Sequence, residues 1–151
     1  MNYWKFNRAM LFRLRMWNII NLIVGAKLSR NENKLVKGIG TQAAGWAFIN
    51  LCIVAFGLVT THRKKQSLED PLDPELMQKE AKSLYRLLWI NNRLNLVYMA
   101  SGLWLALVKG KNSATMRGNG VGVMIQGLLL FMHDSTFASK LKALRDQNAK
   151  S

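Results

Sequence analysis

The sequence is poor in cysteine, proline, histidine and acid. It has one Cys, two Pro, two His and eight Asp and Glu in 151 residues. A lone Cys52 inside an apolar run excludes a disulfide-stapled secreted module. So few carboxylates leave no paired-carboxylate constellation, and neither a Ser nucleophile motif nor a phosphate-binding loop is present. Cys52 has no His or Cys near it at zinc-ligand spacing. His62 and His133 fall at different depths, whereas a two-histidine haem site needs facing imidazoles at one depth. His133 and Asp134 are neighbours, and neighbours on a helix point about 100° apart, so no dyad is expected. No catalytic residue, cofactor or metal ligand is therefore expected, and the chain reads as a non-enzyme.

What is present is basic and apolar. Lys and Arg number 22, the net charge is +14, and half of the residues are hydrophobic while only 20% are charged. A disordered tail is excluded, because so much apolar surface needs burying. The length suits one domain. A nucleic-acid module would interleave its cations with aromatics on one folded face. Here the basic residues instead gather at Lys5–Arg15, Lys27–Lys37, Arg63–Arg86, Lys109–Arg117 and Lys140–Lys150, with Arg93 the one exception. Cations flanking apolar blocks suit phospholipid headgroups and topology control. A lipid bilayer with anionic lipids is the expected partner, and nucleic acid is not.

Four apolar blocks lie between the basic clusters, and an uncharged apolar run of about 20 residues can cross the hydrocarbon core as a helix. The expected spans are about 10–27, 38–61, 87–108 and 118–139, with a connector over 62–86 and a basic tail over 140–151. The first is the weakest, since Met16 to Ala26 is only 11 uncharged residues. Extending it back to Met10 admits Arg13 and Arg15, whose stems can snorkel to the headgroups. A span, an interfacial helix and a signal peptide cleaved near Val24-Gly25-Ala26 all stay open for this block. Four spans would put the N-terminus, connector and tail on one side, which then carries twice the basic residues of the other. The positive-inside rule places that side, with both termini, in the cytoplasm.

The connector has its own signals. Asp70-Pro71 and Asp73-Pro74 mark a turn, with Asp73 as N-cap and Pro74 at the first helical position. Glu75 and Lys79 then stand at i, i+4. One helix is expected from about Pro74 to Val108, and the fourth helix is expected to run past Lys140.

Polar residues inside the blocks fall on stripes at helical spacing. Asn18, Asn21 and Gly25 share a face, as do Gln42, Trp46, Asn50 and Gly57. The third block gives Asn91, Asn95, Tyr98 and Gly102, and the fourth gives Gly122, Gln126 and His133 with Asp134 beside it. Small residues let helices approach closely and amides bond across helix interfaces, which is the structural reading. The rival is a small-molecule or ion binding or transport bundle, with a midplane cavity lined by Asn50, Asn91, Asn95, Tyr98, Gln126 and Asp134. Arg93 and Asp134 sit at matching depth. Either they pair, or Arg93 snorkels and Asp134 takes Asn91 or Asn95.

The two halves echo one another. Trp17-Asn18-Ile19-Ile20-Asn21-Leu22 resembles Trp89 to Leu96, and Gly38-Ile39-Gly40 opens its block as Gly118-Asn119-Gly120 opens the fourth. Two helical hairpins related by duplication would explain this. Together with Gly45-Trp46-Ala47-Phe48-Ile49-Asn50-Leu51 and Gln126-Gly127 followed by Asp134, these segments resemble an uncharacterised family of small four-span bacterial membrane proteins, a domain of unknown function. The resemblance implies four helices and a true first span, and its pattern favours Asp where this chain has Asn95. It carries no function. The expectation is an all-α, integral membrane four-helix bundle of the bacterial inner membrane. Its expected role is structural or accessory, through self-association or with other membrane subunits.

Overall fold

The computed structural model describes residues 2–148, so Lys150 and the end of the expected tail lie outside the described residues. The chain is all-helical, with α1 at Tyr3–Leu28, α2 at Lys34–Gln66, α3 at Pro74–Leu107 and α4 at Ala114–Asn148. A short 3-10 turn, Lys109–Asn112, links α3 to α4, and no strand occurs among the described residues.

Side-chain caps set the helix starts. The Asn2 side chain accepts from the amides of Trp4 and Lys5, and Asn33 accepts from Leu35 and Val36. Asp73 caps α3 as expected, accepting from the Glu75 amide at 3.1 Å with Pro74 at the first helical position. Its helix runs unbroken to Leu107, and α4 continues past Lys140, both as the sequence suggests. The expected Glu75–Lys79 pair is not among the ion pairs of the described residues. Instead Glu80 takes Lys64 of α2 at 2.6 Å, tying α2 to α3.

The first helix extends two turns ahead of the expected span. It begins at Tyr3 rather than near residue 10, because Tyr3, Trp4, Phe6 and Met10 are buried against the other helices. The Trp4 indole donates to the Pro71 carbonyl at 2.7 Å, which fixes the start of α1 to the connector. α1 is an integral helix of the bundle.

Two antiparallel hairpins, α1–α2 and α3–α4, pack through α2 and α4, while α1 meets α3 over a short stretch. The two ends of this assembly are built differently. At the end holding the start of α1 and the connector, a cluster of Trp4, Phe6, Leu11, Val54, Leu84, Leu88, Phe137 and Leu141 forms an ordinary hydrophobic core. Phe6 and Phe137 meet edge to face at 5.6 Å there.

At the opposite end, backbones touch through glycine. A Cβ on Gly102 would lie 2.6 Å from the Met124 amide nitrogen, and one on Gly38 would lie 2.6 Å from the Thr115 carbonyl oxygen. Gly118 meets the Leu35 backbone, and Gly120 the Ala106 backbone, more closely still. No larger residue fits these crossings without moving a helix.

Three helices are long and apolar enough to cross a membrane: α1, α2 and α4 over Ala114–Leu144. The third expected block is the one that falls short, because Asn91, Asn92, Arg93 and Asn95 are crowded into its first turns.

Candidate functional site

Three buried polar pairs tie the four helices together. Asn18 on α1 is fully buried, and its side-chain oxygen accepts from the Asn50 amide of α2 at 3.2 Å. Its own amide donates to the Leu14 carbonyl at 2.8 Å, so Asn18 is satisfied on both sides. One turn on, Asn21 exchanges two hydrogen bonds with Gln126 of α4. The Asn21 amide donates at 2.7 Å and the Gln126 amide returns at 3.4 Å. The third pair joins α3 to α4, where the Asn95 amide donates to Asp134 Oδ2 at 3.3 Å.

Each pair joins a different couple of helices. Asn18–Asn50 closes the first hairpin, Asn95–Asp134 closes the second, and Asn21–Gln126 crosses between them. A buried amide without a partner costs about 1–3 kcal/mol, so each pair selects one rotation and one vertical offset of its helices.

Arg93 and Asp134 do not pair. Arg93 is exposed, and its guanidinium stacks on the Trp89 ring at 3.6 Å. Asp134 takes Asn95, the second of the two arrangements the sequence left open. The reading of His133 needs correction. Although the two are adjacent on α4, His133 Nδ1 lies 3.0 Å from Asp134 Oδ1. Their Cα–Cβ directions diverge, but side chains of this length bend back toward each other. His133 Nε2 is buried with no hydrogen-bond partner, as are the side-chain oxygens of Asn92 and Asn119.

The remaining stripe residues pack rather than bond. Gln42 lies against Gly122, where a Cβ would sit 2.7 Å from the Gln42 Cβ. Trp46 and Tyr98 meet edge to face at 4.9 Å across α2 and α3. Asn91 is partly exposed and belongs to none of the three pairs. The bonded polar positions therefore form three separate groups, Asn18–Asn50, Asn21–Gln126 and Asn95–Asp134–His133, rather than one cluster. Among the described residues no group of three or more His, Cys, Asp and Glu comes together as metal ligands would.

Among the described residues, two cavities lie away from the buried amides. One of about 230 Å³ runs between α1 and α4 past Arg13, Trp17, Leu130 and His133. A larger one of about 580 Å³ sits between the start of α1 and the end of α2. Neither is lined by Asn18, Asn21, Asn50, Asn95 or Gln126.

Sequence reasoning missed Asn7, which is buried and donates to the Thr61 hydroxyl at 3.1 Å. A signal was available, since Asn7 precedes Asn18 by three helical turns on the same face.

Residues 13–135 match the family of unknown function DUF6992, and the chain belongs to that family. No curated protein and no solved structure shows a match.

Proposed function

We propose that this chain is an integral membrane four-helix protein with a structural or accessory role, held together by paired amides and close glycine crossings. The observation that carries the reading is an inversion of the usual burial pattern. Asn18, Asn21, Asn50, Asn95, Gln126 and Asp134 are buried, while Phe56 is 72% exposed and Ile23 and Leu107 are each 66% exposed. Water would drive those apolar side chains inward, whereas lipid tails solvate them and make polar groups seek one another. Soluble monomers rarely expose contiguous apolar surface on this scale.

Helix length supports the same reading. With 33 residues, α2 is about 50 Å long at the α-helical rise, against about 30 Å of hydrocarbon core. The hydrophobic cluster at the chain-start end runs from the helix ends beyond the spans, at Trp4, Phe6, Leu84 and Leu141, into the ends of the spans themselves, at Leu11, Val54, Leu88 and Phe137. A crossing of α3 beside α4 is supported by their packing against each other and by the Asn95–Asp134 pair that they share. The positive-inside rule, applied to the basic clusters, supports a bacterial inner-membrane placement with both termini cytoplasmic. The expected partners are anionic lipids, a second copy or another membrane subunit, with no nucleic acid.

A ligand-handling bundle is the second reading. It rests on His133 Nε2 and Asn92 Oδ1, buried without partners. Against it, Asn50, Asn95, Gln126 and Asp134 are already engaged with one another or with α1.

The test is native mass spectrometry after an alkaline wash and gentle solubilisation from the protein's own membrane. Release by the wash would overturn the membrane assignment. A stoichiometric protein partner or self-association is the expected result. A lone chain carrying a retained non-lipid small molecule would favour the second reading.

A further inference from the structure

The 580 Å³ cavity between the start of α1 and the end of α2 combines an apolar floor with a cationic rim. Lys5 and Arg8 stand one turn apart on α1, and His62 and Lys65 stand one turn apart on α2. All four are exposed, while Trp4 and Leu11 beneath them are buried and Leu58 is half-buried. No acidic residue lines the cavity. Lys5, Arg8 and Lys65 have no ion-pair partner among the described residues, in contrast to Lys64, which Glu80 holds at 2.6 Å. The wall is fixed, since Thr61 accepts from buried Asn7 at 3.1 Å.

The level of the cavity along the helices gives it meaning. Given the proposed membrane placement, on which this inference rests, the first span begins near Met10 and the second ends near Thr61. The four basic side chains then stand at headgroup height. Leu11 and Leu58 line the cavity on the side of the acyl region, and their chain neighbours Phe12 (55%) and Val59 (49%) are exposed there. The volume falls within the about 300–1,000 Å³ of ordinary ligand sites.

We propose that this cleft binds one anionic diacyl phospholipid. Its phosphate lies among Lys5, Arg8 and Lys65, and one acyl chain lies over Leu11 and Leu58. Charge complementarity selects the anionic headgroup, and the apolar floor selects a lipid over a free phosphate.

The experiment is native mass spectrometry of the full chain in zwitterionic detergent with phosphatidylglycerol added, read as lipid molecules retained per chain. One retained phosphatidylglycerol is expected, with phosphatidylcholine not retained. The triple variant Lys5→Gln, Arg8→Gln, Lys65→Gln should weaken retention by roughly a hundredfold, the effect of removing three interfacial cations. A control triple at exposed sites near the other end, Lys34→Gln, Lys37→Gln, Lys111→Gln, should retain the lipid.

Equal loss in both triples would overturn the proposal in favour of diffuse charge attraction. Displacement of the lipid by sn-glycerol 3-phosphate would overturn it in favour of a phosphate site. Should the cleft triple elute as aggregate, the wild-type comparison of phosphatidylglycerol, phosphatidylcholine and glycerol phosphate still decides. Release of the wild-type chain by the alkaline wash reports failure of the membrane assignment separately.

Discussion

The Asn21–Gln126 pair gives the sharpest test of how the hairpins are joined. Both side chains are buried, at 9% and 3% exposure, and two hydrogen bonds of 2.7 and 3.4 Å link them. Replacing Asn21 with Leu removes both bonds and leaves the Gln126 amide facing an apolar side chain. The reverse holds for Gln126→Leu. Orphaning a buried amide costs about 1–3 kcal/mol, so each single variant should be destabilised within that range. The double variant orphans nothing and should lose less than the sum of the singles. Interhelical hydrogen bonds in membranes average about 0.6 kcal/mol and reach about 1.7 kcal/mol, so a coupling near 1 kcal/mol is expected. Reversible unfolding in mixed micelles, followed by helical circular dichroism, measures all four corners of the cycle. Strictly additive losses would refute the reasoning, because they would mean that the two amides do not rely on each other.

Other outcomes follow from the same geometry. Gly102→Ala should destabilise or shift the α3–α4 hairpin, because its Cβ would meet the Met124 backbone at 2.6 Å. Gly45→Ala, with nothing within 4 Å, should be neutral or gain up to about 1 kcal/mol of helix propensity; thermal melts in detergent compare the two. Asp134→Ala strips the partner from both Asn95 and His133, and should cost about 1–3 kcal/mol for each orphaned group. An unchanged melting temperature would contradict that. Leu141→Ala, at a side chain 2% exposed in the chain-start cluster, should cost about 2–5 kcal/mol by leaving a cavity. Arg93→Ala should change stability little, since the guanidinium is exposed and holds only the Trp89 face.

The cleft between α1 and α2 and the amide pairs serve different purposes. The pairs bond partners within the protein, so they specify which helix faces which. The cations of the cleft have no such partners among the described residues and are left for something outside the chain.

The sequence by itself determined the helices and their faces. Four apolar blocks bounded by cations, Asp73-Pro74 opening α3, and stripes such as Asn18–Asn21 and Asn91–Asn95 were legible because helical periodicity is a local property. It did not determine that Asn21 meets Gln126, that Asn95 meets Asp134, or that Arg93 turns away to Trp89. Periodicity fixes the direction a side chain leaves its own helix. The partner depends on the order, rotation and vertical offset of helices distant in the chain. The extra two turns of α1 were hidden for a related reason. Lys5 and Arg8 break the apolar run, and only burial of Tyr3, Trp4 and Phe6 against α3 and α4 shows those turns to be part of the core. Those partners became visible only when the hairpins packed, because close glycine contacts at one end and an aromatic core at the other fix how far each helix slides along its neighbours.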